Sequence, residues 1–237
     1  MPTPYKRILL KLSGEQLAGD QGNGVDAKTV RWIAGEVKAA AEVGAQIVIM
    51  VGGGNFVRGA QITGSGIRRV TADYMGMLGT LINGLAVADI FNDVGLPAHV
   101  LSSIYAEQAA DPYTQRRAVH HLNKGRVVIV SGGVGRPYLT TDTAAVNLAL
   151  ELDCDLVCKL TNVDGVYDKD PDKYDAAKRY DKLSFQEAVE NPGVRVMDKA
   201  ALGLAMEQKI SILVFNFNHG GNVRRAVLGE SVGTLIS

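Results

Sequence analysis

Short, almost uninterrupted apolar runs recur along the chain with longer, mixed stretches between them. "RILLKL" (7–12), "AQIVIMV" (45–51), "PAHVLS" (97–102), "RVVIVSGG" (126–133), "DLVCKLT" (155–161) and "SILVFNF" (211–217) have the length and branched apolar content of strands buried on both faces. The stretches between them carry helix formers and helix-ending glycines: "DAKTVRWIAGEVKAAAEVG" (26–44), "TADYMGMLGTLINGLAVADIFNDVG" (71–95), "PYTQRRAVHHLNKG" (112–125), "TDTAAVNLALELD" (141–153), "MDKAALGLAMEQK" (197–209) and "NVRRAVLGE" (222–230). The long helix at 71–95 is expected to start on a Thr or Asp cap. Strand and helix in alternation predict an α/β fold with a mainly parallel sheet covered on both faces. No repeat or low-complexity linker divides the chain, so residues 1–237 are expected to form one domain.

In such a sheet, ligands bind beyond the carboxyl ends of the strands. Glycine-rich or polar segments follow four strands: "KLSGE", "VGGGNFVRG", "SGGVGRPYLTTD" and "LTNVDGVYDKDP". Glycine serves ordinary turns too, but four such loops on one sheet edge point to a shared site. Gly52, Gly53 and Gly54 would let backbone N–H groups approach phosphate oxygens. The chain contains no Gly-Lys pair, which excludes the P-loop pattern, and no strand is followed by G-x-G-x-x-G opening a helix. The charge for phosphate chemistry must therefore come from elsewhere.

Lys11 is the main candidate, because a lysine inside a buried strand needs a partner and a transferring phosphoryl group is one. Arg58 could clamp phosphate through its planar fork, and a surface ion pair is the plainer alternative. Thr140, Thr141 and Asp142 fall at a helix N-terminus. Capping accounts for one of them; the functional reading has the hydroxyls meet a ligand while Asp142 orients Lys11 or a metal. Asp164, Gly165, Tyr167 and Asp170 suit a nucleotide edge, whereas Asp168 and Asp172 suit a solvated turn.

Charge narrows the partners. Lys plus Arg and Asp plus Glu are both 25, so net charge is zero, which argues against broad attraction to nucleic acid or an anionic membrane. No apolar run approaches the roughly 20 residues of a bilayer span, and the N-terminal segment reaches charged residues too soon for a signal peptide. A cytoplasmic protein is expected. Cys154 and Cys158 read as core residues, and His99, His120, His121 and His219 lack metal-binding spacing, so no protein metal site is assigned.

Taken in order, "KLSGE", "GGGNFVRG", "TADYMGMLGTLIN", "TTDTAA", "NVDGVYDKDP", "VMDKAA", "FNFN" and "GTLI" resemble the amino acid kinase superfamily and, within it, the bacterial uridylate (UMP) kinases. The matching pieces run from Lys11 to Ile236. The resemblance implies a three-layer αβα sandwich of the carbamate kinase-like type and transfer of the ATP γ-phosphoryl group to UMP in pyrimidine nucleotide synthesis. It implies ATP contacts from Lys11, Ser13, Gly14, Gly54, Arg58, Thr161, Asn162, Tyr167 and Asp170. It implies UMP contacts from Gly53 and Asp73, and from Val134, Gly135, Arg136, Pro137, Tyr138, Leu139, Thr140 and Thr141. Lys11, Asp142 and Arg58 become the catalytic set, Mg²⁺ arrives with ATP, and Asp198 is a weaker site candidate. A homohexamer is implied, with GTP as activator and UTP as inhibitor; "GDQGNG" (19–24) loosely matches the segment tied to GTP. Many uridylate kinases read T-G-N-P where this chain has "VGRP" (134–137). A superfamily kinase acting on a carboxylate, carbamate or isopentenyl phosphate, or a non-catalytic nucleotide sensor, remain the alternatives.

Overall fold

The computed structural model describes residues 4–57, 66–191, 193–194 and 196–237. Its strands are β1 (Arg7–Leu12), β2 (Gln46–Val51), β3 (Ala98–Ser102), β4 (Asp111–Pro112), β5 (Val127–Ser131), β6 (Leu156–Thr161), β7 (Lys182–Leu183), β8 (Ile212–Asn216) and β9 (Thr234–Ile236). They form one nine-stranded sheet in the order β4-β3-β5-β2-β1-β6-β8-β9-β7. Every pairing is parallel except β8 with β9. The helices are α1 (Gly14–Ala18), α2 (Ala27–Ala41), α3 (Arg69–Asp93), α4 (Gln115–Asn123), α5 (Thr141–Glu151), α6 (Phe185–Glu190), α7 (Lys199–Gln208) and α8 (Asn222–Val227).

Alternation along the strands divides the core into two layers. Ile8, Leu10 and Leu12 of β1 pack with α2, the inner half of α3 and α8; Phe91 and Phe215 are fully buried there. Leu9, Val48 and Met50 point the other way, into a layer closed by α4, α5, α6 and α7. The αβα sandwich follows. Lys11 lies two residues beyond Leu9, and Lys159 two beyond Val157, so both belong to the face that α5 covers.

The six long strands fall where the apolar runs predict, while β4, β7 and β9 are too short to stand out from their flanks. The expected cap of the long helix is corrected. Its N-cap is Arg68, which makes no side-chain cap bond, and Thr71 and Asp73 lie inside the first turns. Asp73 is drawn instead to Arg69, whose Nε–H is shared between its two carboxylate oxygens at 2.8 and 3.0 Å. Elsewhere side chains do cap: Asp26 accepts from the Lys28 and Thr29 N–H groups at the start of α2, and Thr114 from that of Arg117 before α4. Helix α3 is the one described helix long and apolar enough to cross a membrane by length and composition, but half of that window is buried.

Candidate active site

Two loops meet at the carboxyl ends of β1 and β2. Ser13 caps α1 in a reciprocal box with Gln16, whose amide also donates to the Leu160 carbonyl at 2.9 Å. A Cβ on Gly14 would lie 2.7 Å from the Gly54 nitrogen, so only glycine lets the loops approach this closely. Gly53 has a plainer reason to be glycine than phosphate binding. A Cβ there would come within 2.5 Å of the Gly76 carbonyl oxygen in α3. Gly54 meets nothing nearer than 3.5 Å, and its backbone is the open part of the triplet.

Helix α3 holds the loops after β2 and β5 through buried polar residues that sequence reading missed. Asn83 donates to the Gly52 carbonyl at 2.7 Å and exchanges amide bonds with Asn55 at 2.7 and 2.9 Å. One turn away, Thr80 accepts from the Gly132 N–H at 2.6 Å and donates to the Met77 carbonyl. Two polar residues in the otherwise apolar middle of the helix (75–88), in "GTLING", are the signal that could have found them: buried polar groups must be bonded, and their bonds set the loops.

A cavity of about 350 Å³ opens between these loops. Gly53, Gly54, Asp73, Val134, Leu139, Thr140 and Thr141 all line it, together with Arg69. The structure thus unites most of the expected acceptor residues. Gly135, Arg136, Pro137 and Tyr138 lie on the adjoining turn and are not among its lining residues. Tyr138 adopts φ 69°, is exposed, sits under the Arg69 guanidinium at 5.5 Å, and donates its backbone N–H to Asp73 at 2.9 Å. Asp73 therefore anchors the turn as well as facing the cavity.

A second, larger cavity of about 720 Å³ follows β6, lined by Tyr167 and Asp170 among residues 163–174. Asp170 caps its own turn by accepting from the Asp172 N–H, and pairs with Lys173 at 2.7 Å. Asp168 likewise accepts from the Lys178 N–H at 2.7 Å. Thr161 and Asn162 precede this cavity at the end of β6 and are not among its lining residues. The Thr161 hydroxyl donates to the Val163 carbonyl at 2.7 Å, and Asn216 ties the Asn162 carbonyl to β8 at 3.0 Å. Asp164 receives Asn216 and His219, which hold its carboxyl below the usual range. The 19–24 segment is a short 3₁₀ turn (Gly19–Gln21) leading into the Asp26 cap. Arg58 lies outside the described residues.

Asp142 and Lys159 fall between the two linings in chain order and meet Lys11 of β1 in a charged centre. Thr140 caps α5, accepting from the Asp142 and Thr143 N–H groups, so Asp142 follows directly on the acceptor wall. The Lys11 ammonium pairs with one oxygen of Asp142 at 2.8 Å, and the Lys159 ammonium with the other at 2.8 Å. Lys159 also donates to the Val196 carbonyl. Burial opposes ionisation of Asp142, but the two ammonium groups outweigh it and hold the carboxyl below its ordinary value. Burial likewise depresses Lys159, with Asp142 acting against it. Asp142 thus lies in contact with Lys11, one of the two partners considered for it, and Lys159 is an addition. A signal existed: "KLS" at 11–13 and "KLT" at 159–161 end two strands in the same way.

Asp198 has a structural task. It caps α7 through the Ala201 N–H at 2.9 Å and accepts the hydroxyls of Thr140 and Thr143, joining α7 to α5. The histidines His99 and His121 meet Asp111 at the far sheet edge, with candidate ligand atoms within 4.8 Å of one another. The rings stack at 3.8 Å and 17°, so their in-plane lone pairs run side by side instead of converging. Arg126 donates to His121 Nδ1 at 3.0 Å. This is not a coordination sphere as arranged.

With this geometry, the family comparison is decisive. The model of the Amino acid kinase family matches residues 6–216. The chain belongs to the amino acid kinase family. Solved structures similar to it include UMP kinase from Bacillus anthracis, 42% identical over 99% of this chain and 96% of that one, with TM-score 0.94. UMP kinase from Ureaplasma parvum is 31% identical, covering 98% of each chain, with TM-score 0.91. Uridylate kinase from Archaeoglobus fulgidus is 28% identical over 97% of this chain and 99% of that one, with TM-score 0.73. Within this nine-stranded frame, the Lys–Asp–Lys centre and the two cavities hold the groups that can act on a ligand.

Proposed function

We propose that this amino acid kinase transfers the γ-phosphoryl group of ATP to UMP, giving ADP and UDP. The observation that carries the reading is the buried Lys11–Asp142–Lys159 centre: Asp142 follows directly on Thr140 and Thr141 of the smaller cavity's wall, and Lys159 lies on β6, whose end leads into the larger cavity. The likeness to UMP kinases over nearly the whole chain supports the choice of acceptor.

The UMP phosphate oxygen attacks the γ-phosphorus. A new P–O bond forms, the bond to the β–γ bridging oxygen breaks, and the electron pair leaves with ADP. A phosphate monoester is already anionic near neutral pH, so the nucleophile needs no base. Asp142 is unsuited to that role anyway, with both oxygens bound to ammonium groups. Its task is to aim Lys11 at the charge that develops on the transferring group. Asp73 would take a ribose hydroxyl; Arg69 and Tyr138 already donate to it, and an ionised carboxylate offers about four acceptor sites. Arg58, Ser13, Gly14 and Gly54 would hold ATP phosphates, while Thr161, Asn162, Tyr167 and Asp170 would hold its nucleoside. Gly53, Val134, Leu139, Thr140 and Thr141, with the 135–138 turn, would enclose UMP.

Mg²⁺ belongs here as MgATP. Asp142 is committed to two lysines and Asp198 to two hydroxyls, so phosphate oxygens and water suit the ion better than these carboxylates. Bound there, it neutralises charge on the leaving diphosphate. The same reading makes residues 1–237 one domain, places the enzyme in cytoplasmic pyrimidine nucleotide synthesis, and leaves GTP activation and UTP inhibition to be measured. Self-association, expected as a hexamer, is supported by an exposed stripe of Val70, Tyr74, Leu78 and Ile82 along α3. Release of ADP with UMP, CMP, acetylglutamate or aspartate as acceptor tests the proposal: UMP should be preferred, and equal or better turnover of an amino acid would refute it.

A further inference from the structure

Lys159 has no task in the reaction as written, yet it occupies a costly place. It lies directly across from Lys11 in the parallel β1–β6 register. Like charges at such positions repel, and both side chains are largely buried, at 10% exposure for Lys11 and 19% for Lys159. An apolar residue at position 159 would remove the repulsion and the desolvation cost together. The sheet does not require a lysine here, since Val157 before it packs as an ordinary core residue.

What the lysine does make is specific. Its ammonium holds the one Asp142 oxygen that Lys11 does not, and the Val196 carbonyl fixes it from a second direction. Each oxygen faces one ammonium at 2.8 Å, but only the Lys159 contact has hydrogen-bond geometry, so Lys159 is the group that fixes the rotation of the carboxylate about its Cβ–Cγ bond. Without Lys159, Asp142 could turn away from the position that aims Lys11. The centre also carries two positive charges against one negative, which favours an anionic nucleotide phosphate.

We infer that Lys159 is a positioning residue of the phosphoryl-transfer centre, holding the second oxygen of Asp142 so that the carboxylate keeps the Lys11 ammonium on the reaction line. This rests on the phosphoryl-transfer reading above. The groups that face Asp142 are Lys11 from β1 and Lys159 from β6. Asp198 at the start of α7 acts on Lys159, and Glu190 and Lys199 line the same hollow as Asp142 and Lys159.

The test compares the unmodified protein with Lys159→Met and Lys159→Arg, measuring kcat and KM for UMP and MgATP across pH, with circular dichroism as a fold check. Lys159→Met should lower kcat by about 100-fold, the scale of one preorganised electrostatic contact, and leave both KM values within about threefold. It should also move the acid limb of kcat upward by roughly one pH unit or more, because a buried carboxylate that loses one of two cations protonates more readily. Lys159→Arg should return the limb and much of kcat by restoring the charge. If the unmodified protein makes no UDP, the kinase reading itself fails. If it does, a folded Lys159→Met with kcat within about threefold of it and an unmoved limb overturns the role. A lower kcat with an unmoved limb and no recovery in Lys159→Arg overturns it too, since that is the pattern of lost packing. Should Lys159→Met not fold, Lys159→Gln, which can still donate to the Val196 carbonyl, is read by the same two criteria.

Discussion

Strand register gathers ionisable side chains at two places, and they differ in whether the buried member keeps its charge. At the centre of the sheet, Lys11 and Lys159 enclose Asp142, and the cluster is buried and ionised. At the edge, His99 and His121 stack beside an exposed Asp111, and burial pushes His121 down to about 4, so it is neutral at pH 7. The difference shows what to look for in a catalytic cluster. A dense group of titratable residues is common; buried charges kept in spite of their desolvation cost are not. At the edge the buried imidazole of His121 is neutral, and the charge sits on the exposed Asp111 carboxylate, held below its ordinary value by its hydrogen bond to His99. The central one retains charge that an apolar core could have replaced.

The sharpest way to break this contrast is to remove the central carboxylate. Asp142→Ala leaves two ammonium groups buried side by side and should cost about 3–5 kcal/mol of stability, read by denaturant unfolding. Unchanged stability would mean the centre is better hydrated than its burial indicates. Next in size, Lys11→Ala should raise the barrier to phosphoryl transfer by about 2–4 kcal/mol while altering MgATP affinity far less. A KM effect without a kcat effect would make Lys11 a binding residue only.

Asn83→Ala removes the donor to the Gly52 carbonyl and the partner of Asn55. Loss of about 1–3 kcal/mol is expected, together with weaker substrate binding as the glycine loop loosens. A stable variant with unaltered KM values would separate the buried asparagine pair from the site.

The edge cluster supplies the smallest effect and the check on sign. Burial lowers the His121 pKa, so on acidification the unfolded chain takes up a proton before the folded one does. Stability should therefore fall as pH drops from about 6.5 towards 4, by at most about 1.4 kcal/mol per pH unit from this group. His121→Gln should flatten that slope and leave kcat unchanged. Asp142 acts lower on the scale: its depressed pKa gives stability that is present above the ordinary 3.8 and lost as pH falls through the folded value.

The fold was legible wherever burial on both faces leaves a continuous apolar run, as in "QIVIMV" or "VVIVS". It was illegible for β4, β7 and β9, because two or three residues carry no period. Of the site, Lys11 and Asp142 could be picked out because a strand lysine and a helix-start acid are locally unusual. Lys159 sat in an equivalent strand end, but its value depends on register with β1, which no local pattern encodes. Gly53 shows the reverse: the sequence made it a phosphate glycine, and the close approach of α3 is already a sufficient reason for it. Arg69 belonged to a helix start and gave no hint that it would pair with Asp73 at the acceptor wall.

The most direct measurement is the reaction itself: the purified protein with MgATP and UMP, products followed by phosphorus NMR, beside Lys11→Ala. The account predicts equal amounts of UDP and ADP from the unmodified protein, UMP as the preferred acceptor, and about 100-fold or greater loss of rate in the variant. Absence of UDP, preference for a carboxylate acceptor, or a variant as fast as its parent would contradict it.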